Sequence, residues 1–310
     1  MINISVLLPV HKETEMIFQA INSLKKQVFT SYEIIILIDG VNEKLNNILI
    51  KTYHEDIIKK IIIIKYYKKK LGLTKLLNKG ILSANANLIM RNDYDDLSLP
   101  LRMHKQFQIF QDNKNIKMVY SYFHLLKNND SLIKRSPNFI QKKLQKILFY
   151  KNPIAHSSVM FDKNYIIKLG LYNENFIFSQ DFELWGRIIN DDIKAISLVK
   201  DYLVKIRLNK ENISSVNSIN QRSNSVIICL QNKFYPKKFS YSKNINFFLE
   251  INNLNKVEKN YFYALSYSYL YEHKHNFRSN FNILINIILI YYHHKSLLFH
   301  RLLNSLKITF

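Results

Sequence analysis

The sequence predicts an α/β fold: a mostly parallel sheet flanked by helices, followed by a helical C-terminal region. Two observations carry this. Short continuous apolar runs at 4–10, 32–38, 61–64 and 88–90 alternate with amphipathic segments. Strands buried on both faces read as continuous apolar runs, and their alternation with helices marks a parallel sheet covered on both sides. In addition, Pro9, Asp39 and Asp93 stand at the ends of three of those runs. Ligands of such sheets bind beyond the carboxyl ends of the strands, so these residues are expected to converge on one crevice.

Taken in order, 4–10 is a β-rich run closed by Pro9-Val10-His11. Segment 13–26 carries Met16, Ile17, Ala20, Ile21 and Leu24 at helical spacing. Segment 32–38 is a strand ending in Asp39-Gly40, 42–54 is a helix, 61–64 a third strand, and 73–83 a helix introduced by Gly72. Segment 88–90 is the fourth strand. A helix over 101–111 follows Pro100, which suits a first turn. The spacing then predicts a strand at 117–125, a basic amphipathic helix at 139–150, and a strand at 153–161 containing His156. A short helix at 163–169 stops at Gly170. Residues 178–185, with the only tryptophan, Trp185, open a helix through 189, and 193–197 and 202–207 read as a last pair of strands. After about Ser214 the composition shifts to Asn, Ser and Lys, with loop-like stretches at 214–225 and 235–246 and helices at 257–274 and 277–307. This divides the chain into 1–220 and a helical region 221–310.

Lys and Arg number 45 against 23 Asp and Glu, a formal charge of +22 over 310 residues. Such a field attracts nucleic acid, anionic lipid or acidic small molecules. The single cysteine, Cys229, rules out an internal disulfide and points to a reducing compartment. The N-terminal run shows no signal-peptide pattern, and the longest apolar stretch, 283–292, is interrupted by Asn286 and too short to span a bilayer. A cytoplasmic protein is expected.

The most informative stretch is 88–100, LIMRNDYDDLSLP. Asp93, Asp95 and Asp96 put three carboxylates within four residues at the end of an apolar strand. They repel one another, so a cation is expected among them. Oxygen donors suit Mg²⁺ or Mn²⁺, which take one or two protein carboxylates and fill the other positions with water and substrate phosphate. A solvated acidic turn capping the next helix is the alternative. Arg91 could pair with this cluster or with phosphate. Asp39 could be a turn residue with Gly40, Asp181 a helix cap, and His156 a satisfied core histidine. The stretch KYYKKK, 65–70, interleaves aromatics with cations as a nucleic-acid platform would.

These segments form an ordered set that resembles the family-two glycosyltransferases of GT-A fold, a Rossmann-like architecture, over about 4–215. SVLLPVHKE is similar to the family's first strand, and IIILIDG to its second with the nucleoside-side Asp. LGLTKLLNKGI resembles the Gly-Leu-x-x-x-Leu-Asn-x-Gly helix. MRNDYDDLSLPLRMHKQ resembles the DXD segment with its following Pro and Arg. NPIAHSSVMF and FSQDFELWGRI resemble the acceptor-side strand and the helix bearing the base. The resemblance implies that Pro9, Val10 and Asp39 line the nucleoside pocket, that Arg91 and Asp93 lie at the donor, and that Asp93 and Asp95 frame Mn²⁺ or Mg²⁺. It also implies that Asp181 is the general base of an inverting, single-displacement transfer. It further implies a nucleotide-sugar donor, a UDP-sugar by family habit, and a surface glycan or lipid-linked acceptor. The chain differs from the family at Gln180, where Glu is common, at Asn209, where His is common, and at Lys70, where Asn is usual.

Helix 277–307 carries Phe281, Leu284, Ile288 and Tyr292 on one side and Lys295, Arg301 and Lys307 near it. That make-up predicts peripheral contact with an anionic membrane surface, at the inner face of the cytoplasmic membrane. Two other readings fit the sequence: a basic nucleic-acid-binding protein, and a degenerate transferase fold kept as a scaffold. No specific nucleic-acid partner is expected on the transferase reading.

Overall fold

A computed structural model of the chain describes residues 2–127, 131–136, 141–148 and 151–208, together with Ser225, Ile228 and Cys229. Nine strands and eight α-helices are described. In chain order they are β1 (Ile4–Val10), α1 (Glu15–Lys25), β2 (Tyr32–Asp39), α2 (Glu43–Thr52), α3 (His54–Ile58), β3 (Ile62–Tyr67), α4 (Leu73–Ser83), β4 (Leu88–Arg91), β5 (Leu97–Ser98), α5 (Arg102–Asp112), β6 (Met118–Leu126), β7 (Leu132–Arg135), α6 (Gln141–Ile147), β8 (Met160–Asp162), α7 (Lys163–Lys168), α8 (Gln180–Asp191) and β9 (Ile196–Arg207).

The strands form one sheet in the order β3-β2-β1-β4-β8-β6-β9-β5, with β7 paired to β6. The first four are parallel, as the alternation of strands and helices requires. Beyond β4 the sheet is mixed: β8 runs antiparallel to β4 and β6, while β9 lies parallel to β6. Side chains alternate across the sheet. Val6, Leu8, Ile34 and Ile36 therefore enter one core, with Ile17, Ile21 and Leu24 of α1. Leu7, Ile35 and Leu37 enter the other, with Leu76, Leu77 and Ile81 of α4 and Trp185 of α8.

Local chemistry sets the helix starts. Thr14 caps α1, its hydroxyl accepting from the Met16 N–H at 3.2 Å, with Glu15 and Lys25 placed to suit the helix dipole. Asn42 caps α2 through the Leu45 N–H. Gly80 lets α4 lie directly on β1 and β2: a Cβ there would stand 2.6 Å from Leu37 Cδ1 and 3.2 Å from a Leu7 methyl.

Several expectations need correction. The strand expected at 153–161 is a 3₁₀ turn, His156–Ser158, before the three-residue β8. The Ser158 hydroxyl closes that turn on the Ala155 carbonyl at 2.8 Å. The pair expected at 193–197 and 202–207 is one continuous strand, β9, preceded by a 3₁₀ turn at Ile193–Ala195. Its pairing with β6 absorbs the irregular middle by register shifts at Tyr122. The helix expected over 42–54 stops at Thr52 and restarts as α3. Strands β5 and β7 had no sequence signal; each is held by a distant partner, β9 or β6. In β3, Tyr66 and Tyr67 are half-buried, one against each core, and Lys79 stands over the Tyr67 ring. The boundary at 220 and the helices at 257–274 and 277–307 lie outside the described residues, although Ile228 and Cys229 are buried in the same core as Trp185. Among the described residues no helix is long and apolar enough to cross a membrane.

Candidate active site

The carboxyl ends of β1, β2 and β4 and the start of α8 enclose a cleft of about 650 Å³. Pro9, Val10 and His11 form its β1 side, Asp39 with Lys70 and Gly72 its β2 side, and Asp93, Tyr94, Asp95 and Asp96 its β4 side. His156, Ser157 and residues 177–182 close it from the second half of the sheet. Six of the seven residues singled out in the sequence, Pro9, Val10, Asp39, Asp93, Asp95 and Asp181, therefore share one cavity. Arg91 does not line it.

Asp39 has a structural task at the end of β2. Its two carboxylate oxygens accept the backbone N–H groups of Leu71 at 2.7 Å and Gly72 at 3.0 Å, which fixes the turn into α4. Gly72 there has φ of 82°, a left-handed conformation that glycine adopts without cost. His11, edge-on to Tyr94 at 5.2 Å, titrates below its ordinary value because its ring is partly desolvated and faces Lys12 and Lys70.

Two buried arginines shape the acidic loop from below. Arg91 is fully buried. It donates to the carbonyls of Leu7 at 2.9 Å and Asn92 at 3.1 Å, to His156 Nε2 at 3.1 Å and to an Asp93 carboxylate oxygen. A phosphate contact for Arg91 is thereby replaced by an internal ion pair: its donors are directed at protein atoms beneath the cleft. Arg102 is also fully buried. It donates to Asn92 Oδ1, Ser98 Oγ, Gln106 Oε1 and the carbonyls of Arg91 and Val159. Together they fix the backbone that carries Asp93, Asp95 and Asp96.

The three carboxylates differ in environment. Burial would raise Asp93, but Arg91 and the Ser157 hydroxyl, which donates at 2.8 Å, hold it below the ordinary value. Asp95 is pushed up to about 6 by burial and then by the charge of Asp93. Asp96 is raised well above its usual range by burial and by both neighbours, although the Arg207 N–H reaches it at 3.0 Å. The carboxylates thus oppose one another's ionisation, and the donors are all oxygens. This set fits a hard divalent cation such as Mn²⁺ or Mg²⁺. Among the described residues no three His, Cys, Asp or Glu side chains converge as a closed metal cage. A cation held by one or two carboxylates keeps positions for other oxygens.

Asp181 enters the cleft from α8. The cap position belongs to Ser179, in a left-handed conformation with φ of 58°, so Asp181 stands in the first turn and is not the cap. Asn152 Nδ2 donates to Asp181 Oδ2 at 2.8 Å, while Asn152 Oδ1 accepts the Ile154 N–H at 3.2 Å. The carboxyl is raised to about 6, chiefly by burial, with the N–H groups of Phe182 and Asn152 opposing. Further along α8, Glu183 pairs with Arg187, which also donates to the carbonyls of Leu169 and Leu171. Gln180 is buried at the cleft wall, and Trp185 is core. His156 is bonded to Tyr172 Oη at 2.8 Å and edges Trp185; burial and Arg91 keep it neutral. It is thus a satisfied histidine that also borders the cleft. Asn209 lies outside the described residues.

Sequence reasoning singled out neither Asn152 nor Ser157. Their partners are 29 and 64 residues away, so no local pattern marks them.

Comparison with known proteins follows this geometry. Residues 5–170 match the family described as Glycosyl transferase family 2. The O-antigen biosynthesis glycosyltransferase WbnJ of Escherichia coli is 33% identical over 189 residues, 61% of this chain and 72% of that protein. The mannosyltransferase PcManGT of Pyrobaculum calidifontis, solved with GDP-Man and Mn²⁺, superposes with a TM-score of 0.56 at 12% identity, over 73% of this chain and 62% of that one. S. aureus TarS 1–349 in complex with UDP-GlcNAc gives 0.57 at 13% identity, over 87% and 81%. At these identities the structures establish the fold, which is GT-A.

Proposed function

Because the chain belongs to glycosyl transferase family 2, we propose that it moves a sugar from a UDP-sugar donor to a hydroxyl of a surface glycan or lipid-linked acceptor, with inversion at the anomeric carbon. The observation that carries this reading is the shared cleft, which brings Pro9 and Asp39, the acidic loop and Asp181 to one cavity. The UDP-GlcNAc complex of TarS supports the donor class, and the name of WbnJ supports the acceptor class. Work at the cytoplasmic face of the membrane is the matching location.

Pro9 and Val10 wall the nucleoside end. Asp39 keeps lone pairs beyond its two backbone bonds, so it can accept from the base. Asp93 and Asp95 would hold Mn²⁺ or Mg²⁺; when bound, such an ion neutralises charge on the departing diphosphate. Arg91 holds Asp93 ionised, and Ser157 fixes its orientation. Asp181 takes the proton of the acceptor hydroxyl as that oxygen attacks the anomeric carbon and the nucleotide leaves. A carboxyl near 6 is ionised at neutral pH yet basic enough to help, by roughly 10²–10⁴-fold. Asn152 donates to one of its oxygens, and the carboxylate keeps lone pairs for the acceptor hydroxyl.

A thermal-shift screen of nucleotide sugars with and without Mn²⁺ tests this. At a hundredfold excess over Kd, a ligand of the folded state adds about 2.7 kcal/mol, roughly 5–10 °C for a domain of this size. UDP-sugars with Mn²⁺ are expected to give such a shift. Stabilisation by arbitrary DNA, with no response to any nucleotide sugar, would contradict the reading.

A further inference from the structure

The hydrogen bonds of His156 decide which of its ring nitrogens carries the proton. Arg91 Nε reaches His156 Nε2 at 3.1 Å, and Tyr172 Oη lies 2.8 Å from the same atom. An arginine N–H can only donate. Nε2 is therefore the acceptor of the ring, Tyr172 donates to it as well, and the ring proton stands on Nδ1. Arg91 and Tyr172 are buried. Tyr172 and Trp185 also set ring edges against the imidazole, with centroids 5.6 and 5.9 Å away, which fixes its orientation. Nδ1 has a different environment. Among the described residues it has no hydrogen-bond partner, and it is not one of the buried side-chain atoms left unpaired. The half-buried ring borders the cleft, so a pre-oriented N–H donor is open to a ligand there.

We propose that His156 is a specificity residue for the transferred sugar, its Nδ1–H donating to a sugar hydroxyl or to the carbonyl of an acetamido group; this rests on the transferase reading of the cleft. The chain around His156 joins the two ends of the chemistry. Upstream, Asn152 donates to Asp181 at 2.8 Å. Immediately downstream, the Ser157 hydroxyl donates to an Asp93 carboxylate oxygen at 2.8 Å and accepts the Asp93 N–H at 3.1 Å. Between a base for the acceptor hydroxyl and a carboxylate at the diphosphate lies the sugar whose anomeric carbon is attacked. The diphosphate is the other oxygen-bearing part of such a donor, but it is charged, and a cation at Asp93 and Asp95 is what matches it. A neutral imidazole N–H suits a neutral oxygen. A site that hydrogen-bonds a substrate oxygen also discriminates, because an analogue without that oxygen leaves the site's own donor unpaired.

Two substitutions separate the two nitrogens. Glutamine keeps an acceptor near the Nε2 position for Arg91 and Tyr172 and gives up the donor at Nδ1. Asparagine keeps a donor near the Nδ1 position and gives up that acceptor. Binding of UDP, UDP-N-acetylglucosamine, UDP-galactose and UDP-glucose to the full chain is measured in Mn²⁺. In His156→Gln the best-bound of the three nucleotide sugars is expected to weaken about tenfold, with UDP affinity unchanged. In His156→Asn that nucleotide sugar keeps its affinity relative to UDP, while thermal unfolding moves to lower temperature because Arg91 and Tyr172 lose their acceptor. Equal loss of UDP and nucleotide sugar in His156→Gln overturns the proposal, since His156 would then act on the diphosphate or, through Arg91, on Asp93. Unchanged binding of every ligand in His156→Gln overturns it as well, and so does a wild-type protein that binds UDP but none of the three nucleotide sugars. Imidazole nitrogen NMR of the wild-type protein keeps the test open should His156→Gln fail to fold. The His156 Nδ1–H resonance is expected to move with the nucleotide sugar and not with UDP; a proton found on Nε2 overturns the proposal. Failure of UDP to bind the wild-type protein would instead overturn the transferase reading.

Discussion

At the scale of single residues, the account turns on how Asp181 is held. Its carboxyl stands near 6 because burial raises it while Asn152 and a backbone N–H lower it. If the ionised form is the base, kcat/KM falls as pH drops below about 6. Asn152 donates to the ionised carboxylate and so favours it. Asn152→Ala should therefore move the acid limb to higher pH, a change that a merely structural role would not produce. An unmoved limb would mean that Asn152 does not tune the base. Asp181→Asn should abolish transfer with donor affinity nearly intact; near-normal transfer would place the base elsewhere. That Asp181 belongs to the cleft was legible in the sequence because FSQDFELWGRI resembles a motif of the family. Asn152 was not, because its meaning depends on a loop meeting a helix 29 positions later.

At the scale of elements, the parallel half of the sheet could be read from apolar runs because β1, β2 and β4 are buried on both faces, and edge strand β3, half-buried beyond Ile62, still carries an isoleucine run. The other half could not. The run at 153–161 is apolar enough for a strand, yet Ser157 is drawn under Asp93 and Ser158 back to Ala155. Those side-chain bonds favour a turn over a ladder. Glu33 shows the same limit. It sits fully buried in an apolar run that otherwise reads as core. It accepts from the Ser5 hydroxyl and from the backbone and side-chain N–H groups of Asn85, tying the α4–β4 connection under β1 and β2. Glu33→Ala strands those donors. A buried donor without a partner costs about 1–3 kcal/mol, so denaturant unfolding should show a loss of at least that size. Affinity for UDP and Mn²⁺ should be unchanged where the variant is folded. Wild-type stability in Glu33→Ala would contradict this account of the network.

At the scale of the whole molecule, charge is sorted by position. The chain carries +22 overall, yet the cleft concentrates five aspartates, Asp39, Asp93, Asp95, Asp96 and Asp181. Net charge alone therefore did not identify the ligand class: the basic excess suggested nucleic acid, while the cleft between the strand ends is acidic. Composition reports the average field, and the fold decides where each sign is exposed. Convergence of Pro9, Asp39 and Asp93 was legible, because strand ends of a parallel sheet must lie together. The burial of Arg91 was not, since nothing in a sequence says which side of a strand end faces the cavity.

The central claim is that the acidic cleft binds a nucleoside diphosphate with the help of a divalent cation. Calorimetric titration of UDP into the wild-type protein and Asp95→Asn, each in Mn²⁺ and in EDTA, tests it most directly. The expected result is tight binding of UDP by the wild-type protein in Mn²⁺, weakened about tenfold or more, ~1.4 kcal/mol, by Asp95→Asn, with little difference between the two proteins in EDTA. Equal loss in both conditions, or UDP binding by the wild-type protein that ignores Mn²⁺, would contradict it.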